Sequence, residues 1–398
     1  MTTVAKLPAN YPAVGNFNSA AILNEIVNQA TGKKTMSVID TQDFVSVATT
    51  ALGLGTDLLI HGISSVLSKT IFSIRPYNRK FKGLFQDNMR FGNHVRKLNI
   101  ADSDWKKDDR YDLNDGQSVD DQIVNVPKVL QTNFYGQNVY QRHITIFKDQ
   151  LNTALQNEEE FQRFITMMMT NASDLIEQAH EVTARMTLVN FIGGKIEGDT
   201  DNVIHLVTKY NDVTGLQLNS DTVKKPENFV PFTKWAFGYI KTVSDWMTER
   251  SQKYHINVTG KEISRHTPRD KQKLYLYAED MNNIDASVMT SIFHDNYLKM
   301  LDNEKVGFWQ SIDSPSGITV KASYMQENGQ VKMAEAEKAT ANIFGVLFDE
   351  EAVGVSTYGS WSAPSPFNAR GGYSNIFWHF NDRYYNDFTE NGVVFLLD

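Results

Sequence analysis

Hydrophobic and polar positions fall into three regimes along the chain, and the longest of them lies at its centre. From Glu158 to Ile192 there is neither proline nor glycine. Phe161, Ile165, Met168, Ala172, Leu175, Ala179, Val182, Met186 and Val189 recur in alternating steps of four and three, the spacing of one helix face. Asn157 stands where an N-cap would, Glu158, Glu159 and Glu160 suit the positive end of the helix dipole, and Gly193 and Gly194 predict the stop. Such a helix is roughly 50 Å long. With an apolar period near 3.5 it could pair as a homomeric coiled coil, but small Ala172 and Ala179 in the seam favour a single rod laid across a sheet.

Before the rod, three short amphipathic patterns (Ser19–Ala30, Asp40–Leu52, Thr56–Leu67) follow a weakly patterned arm over residues 1–17. Residues 71–147 then read as a long β-hairpin. Its first arm is basic, with Arg75, Arg79, Lys80, Lys82, Arg90, Arg96 and Lys97. Its tip is acidic, with Asp102, Asp104, Asp108, Asp109, Asp112, Asp115, Asp120 and Asp121. The strand pattern returns at Ile123–Val126 and at Val139–Phe147. An isolated two-stranded ribbon is marginal in water, so this one needs a neighbour to lie on.

After the rod, elements alternate. Strands are predicted at Val203–Thr208, Lys273–Ala278, Phe308–Trp309, Ile318–Lys321, Gly329–Met333, Asn342–Asp349 and Val393–Leu397. Helices are predicted at Pro231–Arg250, with Pro231 as first residue, and at Ile284–Leu301. An aromatic stretch from Trp361 to Phe388 precedes the last strand. Mixed helices, hairpins and buried strands make an α+β fold.

Composition narrows the function. The chain has 398 residues, a net charge of −8 and no cysteine, which removes disulfide and thiolate chemistry and argues against a generally nucleic-acid-binding surface. No secretory signal pattern opens the chain, and no apolar run is long enough for a conventional membrane span. The nine histidines are scattered without a zinc-binding pair, and His180 reads as a helix-surface residue. Gly354–Gly359 misses the nucleophile-elbow spacing by one residue, and Gly32-Lys-Lys-Thr35 lacks the first glycine of a phosphate loop. A calcium loop counted from Gly116 would need Tyr111 and Leu113 as ligands, so the acidic run reads as a solvated tip. A basic arm and an acidic tip on one ribbon suit charge pairing between copies of the chain, through Arg75, Arg79, Lys80, Arg90, Arg96 and Lys97 and through Asp102, Asp104, Asp108, Asp109, Asp112, Asp120 and Asp121. No catalytic, metal or cofactor site is predicted.

The order of arm, charged hairpin, rod, α+β lobe and returning strand resembles the major capsid proteins of tailed bacteriophages with the Hong Kong 97-like fold. The likeness is specific in Lys273–Asp280, Asn283–Val288, Phe344–Gly354, Pro366–Phe380 and Asn386–Gly392, where it is nearest to the head proteins of small short-tailed phages of Gram-positive hosts. That resemblance implies an N-terminal arm and helical segment (1–70), an extended β-hairpin loop (71–148), a peripheral domain with spine helix (149–205), an axial domain (206–341) and returning strands (342–398). It further implies self-assembly, as hexamers and pentamers, into an icosahedral or prolate head shell around double-stranded DNA, built in the host cytoplasm. A scaffolding protein, a portal, and only loose contact with the packaged DNA come with it. A cellular nanocompartment shell of the same fold is the alternative. A soluble hydrolase is the reading from another class, and it lacks a convergent polar site.

Overall fold

The computed structural model describes residues 77, 79–86, 95–103, 108–119, 122, 124, 126–155, 158–288 and 303–398. The arm and helices expected over 1–70, the cap Asn157, the end of the helix expected to reach Leu301, and Arg75, Arg90, Asp104, Asp120 and Asp121 lie outside the described residues. The chain divides into two compact units. One comprises the described part of Met1–Lys80 with Gln137–Val182 and Thr357–Asp382; the other comprises Phe81–Gly136, Thr183–Ser356 and Arg383–Asp398.

The second unit is built on a five-stranded sheet of β4 (Val203–His205), β14 (Gly392–Leu396), β11 (Ile343–Asp349), β5 (Gln272–Tyr277) and β6 (Asn303–Val306), in that order. Strand β11 is antiparallel to both β14 and β5, while β4 and β6 run parallel to their neighbours. Every residue of β11 and β14 is buried, which is why both read as unbroken apolar runs. One face, with Tyr275, Val346, Phe348 and Val394, packs on Leu188, Phe191 and Ile192 of the long helix α2 (Glu158–Gly198). The other face, with Leu274, Leu347, Val393 and Phe395, packs on Phe232, Ala236, Ile240 and Val243 of α4 (Pro226–Thr248). At roughly 25 cal/mol per Å² of apolar area, these two layers supply the main stabilisation of the unit.

Helix α2 has 41 residues and runs through Gly193 and Gly194 instead of stopping there. A Cβ on Gly193 would lie 2.6 Å from Val320 Cγ1, and one on Gly194 would lie 2.4 Å from Phe388 Cζ. The glycines admit neighbours; they do not end the helix. Val182 and Met186, expected on the apolar stripe, are exposed. Val189, the next stripe residue, is buried again, so the stripe is interrupted at Val182 and Met186 and not continuous along the helix.

Other boundaries move for local reasons. Val203–Thr208 is a strand only to His205, where α3 (Leu206–Thr214) begins, closed by Gly215 at φ +75°. Helix α4 starts at Pro226, which takes the first position expected of Pro231, and Pro231 lies inside it. Helix α5 (Ala278–Val288) follows β5 directly and starts before Ile284. Phe308–Trp309 is not a strand; buried Trp309 donates its indole N–H to Ile343 O at 2.9 Å and anchors a loop.

β3 (Gln137–Phe147) pairs with β13 (Tyr373–Asn386), and β13 with β12 (Val353–Pro364), so most of the aromatic stretch lies in two long strands. Val139–Phe147 therefore belongs to this sheet and is not the hairpin's second arm. The short helix α1 (Lys148–Ala154) links β3 to the rod. His180 is buried, contrary to its reading as a surface residue. Its Nδ1 lies 2.8 Å from Asp382 Oδ2, and Tyr140 donates its hydroxyl to the same oxygen at 2.9 Å.

Candidate assembly surface

The ribbon is a true hairpin with shorter arms than its sequence suggests. β1 (Val95–Ile100) pairs antiparallel with β2 (Val129–Phe134), from Val95 opposite Phe134 to Ile100 opposite Val129. Ile123–Val126 contributes no strand among its described residues. The two faces differ because side chains alternate along a strand. Val95, Lys97 and Asn99 turn inward, while Arg96, Leu98 and Ile100 are exposed. Opposite them, Val129 is exposed and Leu130 packs against the core.

The root of the ribbon is fastened to its own unit. Lys97 Nζ pairs with Glu390, and lies 3.1 Å from both Asp387 Oδ2 and Glu351 Oε2. Burial alone would lower the Lys97 ammonium, but the surrounding carboxylates overcome it and hold the group well above the usual lysine value. Arg265 Nη1 shares Glu390 at 3.0 Å. The cluster thus carries three carboxylates against two cations, and burial pushes the Glu390 carboxyl up despite Lys97 and Arg265. Asp102 accepts the Ser264 N–H at 2.6 Å and an Arg250 Nη2–H at 2.5 Å, and these bonds hold its carboxyl below the ordinary range. The backbone N–H of Asp102 donates to Glu262 O, and Lys261 Nζ donates to Val129 O at 2.8 Å.

Beyond the root, the ribbon presents apolar side chains outward. Val124 is 82% exposed, Tyr111 80%, Val126 78% and Ile100 69%, with Leu98, Leu113, Val119 and Val129 also exposed. Asp108 pairs locally with Arg110 at 2.7 Å, Asp109 opens a 3-10 turn (Asp109–Tyr111), and Asp112 and Asp115 are exposed. In the other unit, Arg79 pairs with Glu177 at 3.4 Å, and the exposed Lys80 donates its N–H to Glu181. Lys97 and Asp102 are therefore engaged within the chain, and Arg96 faces outward.

Sequence reasoning passed over the outward apolar row and the acidic partners of Lys97. The row was readable: Leu98 and Ile100 alternate with Lys97. Glu351, Asp387 and Glu390 carried no such signal, since they lie more than 250 positions away. Among the described residues no group of three or more His, Cys, Asp or Glu side chains could hold a metal ion, and no helix is long and apolar enough to cross a membrane.

A two-stranded ribbon whose exposed side chains are largely apolar offers a surface suited to a protein neighbour, the feature expected of a subunit in an assembly. Comparison with known proteins specifies which. The model of the Phi29-like phage major capsid protein family matches residues 23–396, and the chain belongs to that family. Among solved structures it is similar to a chain in the capsid structure of Staphylococcus phage Andhra, at 10% identity and a TM-score of 0.51, covering 81% of this chain and 84% of that one. It is also similar to a chain in the structure of the head fiber and inner core protein gp22 of native bacteriophage P68, at 10% identity and a TM-score of 0.53, covering 81% and 86%. No curated protein sequence matches. The fold and the capsid resemblance read from the sequence hold: the protein is a phage major capsid protein, a component of the virion's head shell, and it assembles with itself into a multi-subunit structure.

Proposed function

We propose that the described residues of the connection between β1 and β2 (103, 108–119, 122, 124 and 126–128), together with the outer face of the two strands, form the surface by which one subunit covers the next in the shell. What supports this is the uncovered apolar row Leu98, Ile100, Tyr111, Val124, Val126 and Val129 on a protein whose family builds closed shells. Isolated apolar side chains on a surface are ordinary, but eight exposed ones on a single hairpin and its connection mark an interaction site. The charges on the same segment (Arg96, Asp108, Asp109, Asp112) then act at the rim, setting partner choice and register more than affinity. In this reading the subunits gather as hexamers and pentamers, a scaffolding protein and a portal guide closure, and the net negative charge keeps contact with packaged double-stranded DNA loose. The arm (1–70), peripheral part (149–205), axial part (206–341) and returning strands (342–398) keep the roles their order suggests. The work is assembly, and it requires no catalytic step.

Replacing Val124 and Val126 by Asp tests this. Both side chains are exposed in the subunit, so its melting temperature should stay within about 2 °C of the parent. Particle yield, read by sedimentation and electron microscopy, should collapse. Full particle yield from the double variant would refute the proposal.

A further inference from the structure

The ribbon's outward face is useful only if something holds its inward face in place, and one residue is built to do so. Strand alternation places Lys97 on the inner face between the exposed Arg96 and Leu98. Its ammonium is enclosed, with 18% of the side chain exposed, and meets carboxylates from two separate connections of the lobe: Glu351 between β11 and β12, and Asp387 with Glu390 between β13 and β14. Those connections are stiff. Asp387, fully buried, accepts both the N–H and the hydroxyl of Thr389 through Oδ1, and Arg265 ties Glu390 to Thr389 O. The other fastenings are weaker, since Arg250, the ionic partner of Asp102, is largely exposed.

We infer that Lys97 is the positioning residue of the ribbon: its pairing with Glu351, Asp387 and Glu390 fixes which face of β1 and β2 points away from the subunit. A slip of one residue would turn Leu98 and Ile100 inward and Lys97 outward, so one buried charge selects between two presentations of the whole strand. An apolar side chain at position 97 keeps the ribbon's hydrogen bonds and leaves the three carboxylates without their central cation. The inference rests on the proposed ribbon contact, and its test separates the two.

Lys97→Met, Lys97→Arg and Glu351→Gln are compared with Val243→Ala, a core truncation against α4 in a different part of the same unit. Hydrogen exchange of dissociated subunits should show that Lys97→Met loses protection over 95–100 and 129–134 while β11 and β14 keep theirs. Particle yield should fall by at least about tenfold, Lys97→Arg should restore most of it, and Glu351→Gln, which removes an exposed partner, should lie between. Unchanged ribbon protection in Lys97→Met would overturn the inference. So would a loss of particles no greater than that of Val243→Ala at an equal fall in melting temperature. If Lys97→Met fails to fold, the same ribbon exchange read on Glu351→Gln decides, with unaltered protection counting against the inference. Normal assembly of Leu98→Asp would instead refute the ribbon contact itself. Blocked assembly of Leu98→Asp beside normal assembly of Lys97→Met would refute only the role of Lys97.

Discussion

Gly194 is a sharp point at which helix propensity and packing pull in opposite directions. It lies inside α2, where replacing glycine by alanine ordinarily stabilises by about 1 kcal/mol. Here the added methyl would sit 2.4 Å from Phe388 Cζ and 2.6 Å from Ser323 O. Neither neighbour is free to retreat. The Phe388 ring is stacked on Phe191 with centroids 5.5 Å apart, and Ser323, in β8 (Ser323–Met325), has its N–H held by Asn190 Oδ1 at 2.9 Å. Overpacking costs about 1–3 kcal/mol, and two fixed contacts place this site at the upper end, leaving a net loss of about 2 kcal/mol for Gly194→Ala. At about 2–4 °C per kcal/mol for a unit of this size, its melting temperature should fall by about 4–8 °C. Gly238, inside α4, has open space where its Cβ would go, so Gly238→Ala should melt about 2–4 °C higher. Thermal denaturation of dissociated subunits, followed by far-ultraviolet circular dichroism, reads both. Equal or raised melting of Gly194→Ala would show that the glycine is not a packing requirement.

Two further expectations concern charge and hydrogen bonding. Burial raises Glu390, so the folded state binds its proton more readily than the unfolded chain does; its contribution to stability grows as pH falls from 7 towards the ordinary carboxylate range. Thermal melts of Glu390→Gln should therefore lack that part of the parent's gain on acidification, and an identical pH slope in the two proteins would contradict the assignment. Tyr140→Phe removes a hydroxyl donor from fully buried Asp382, so urea unfolding should show a loss of about 1–3 kcal/mol, and none at all would mean that the bond is not formed.

The parts of the fold legible in the sequence are those in which one local signal decides. β11 and β14 are continuous apolar runs because both faces are covered, β5 needs only its six residues, and α4 shows its stripe from Phe232 to Met247. β12 and β13 escaped because their buried face mixes chemistries. Ser374, Ile376, Trp378, Phe380 and Asp382 are all buried on alternate positions of β13, and polar members break the apolar alternation that marks a strand. Gly193 and Gly194 were read by their usual local meaning, while the cause of their presence is Val320, Ser323 and Phe388, far along the chain. The same limit applies at the ribbon. Its charge and strand pattern predicted a projecting element, but whether Lys97 faces a neighbour or its own lobe depends on Glu351, Asp387 and Glu390, which no local pattern reports.

Electron cryo-microscopy of particles assembled from the expressed chain tests the central claim most directly, by showing where residues 103–128 lie. The account predicts Tyr111, Val124 and Val126 buried against an adjacent subunit while Lys97 stays within its own acidic cluster. Particles in which those three side chains rest on their own subunit, or face solvent with the shell closed, would contradict it.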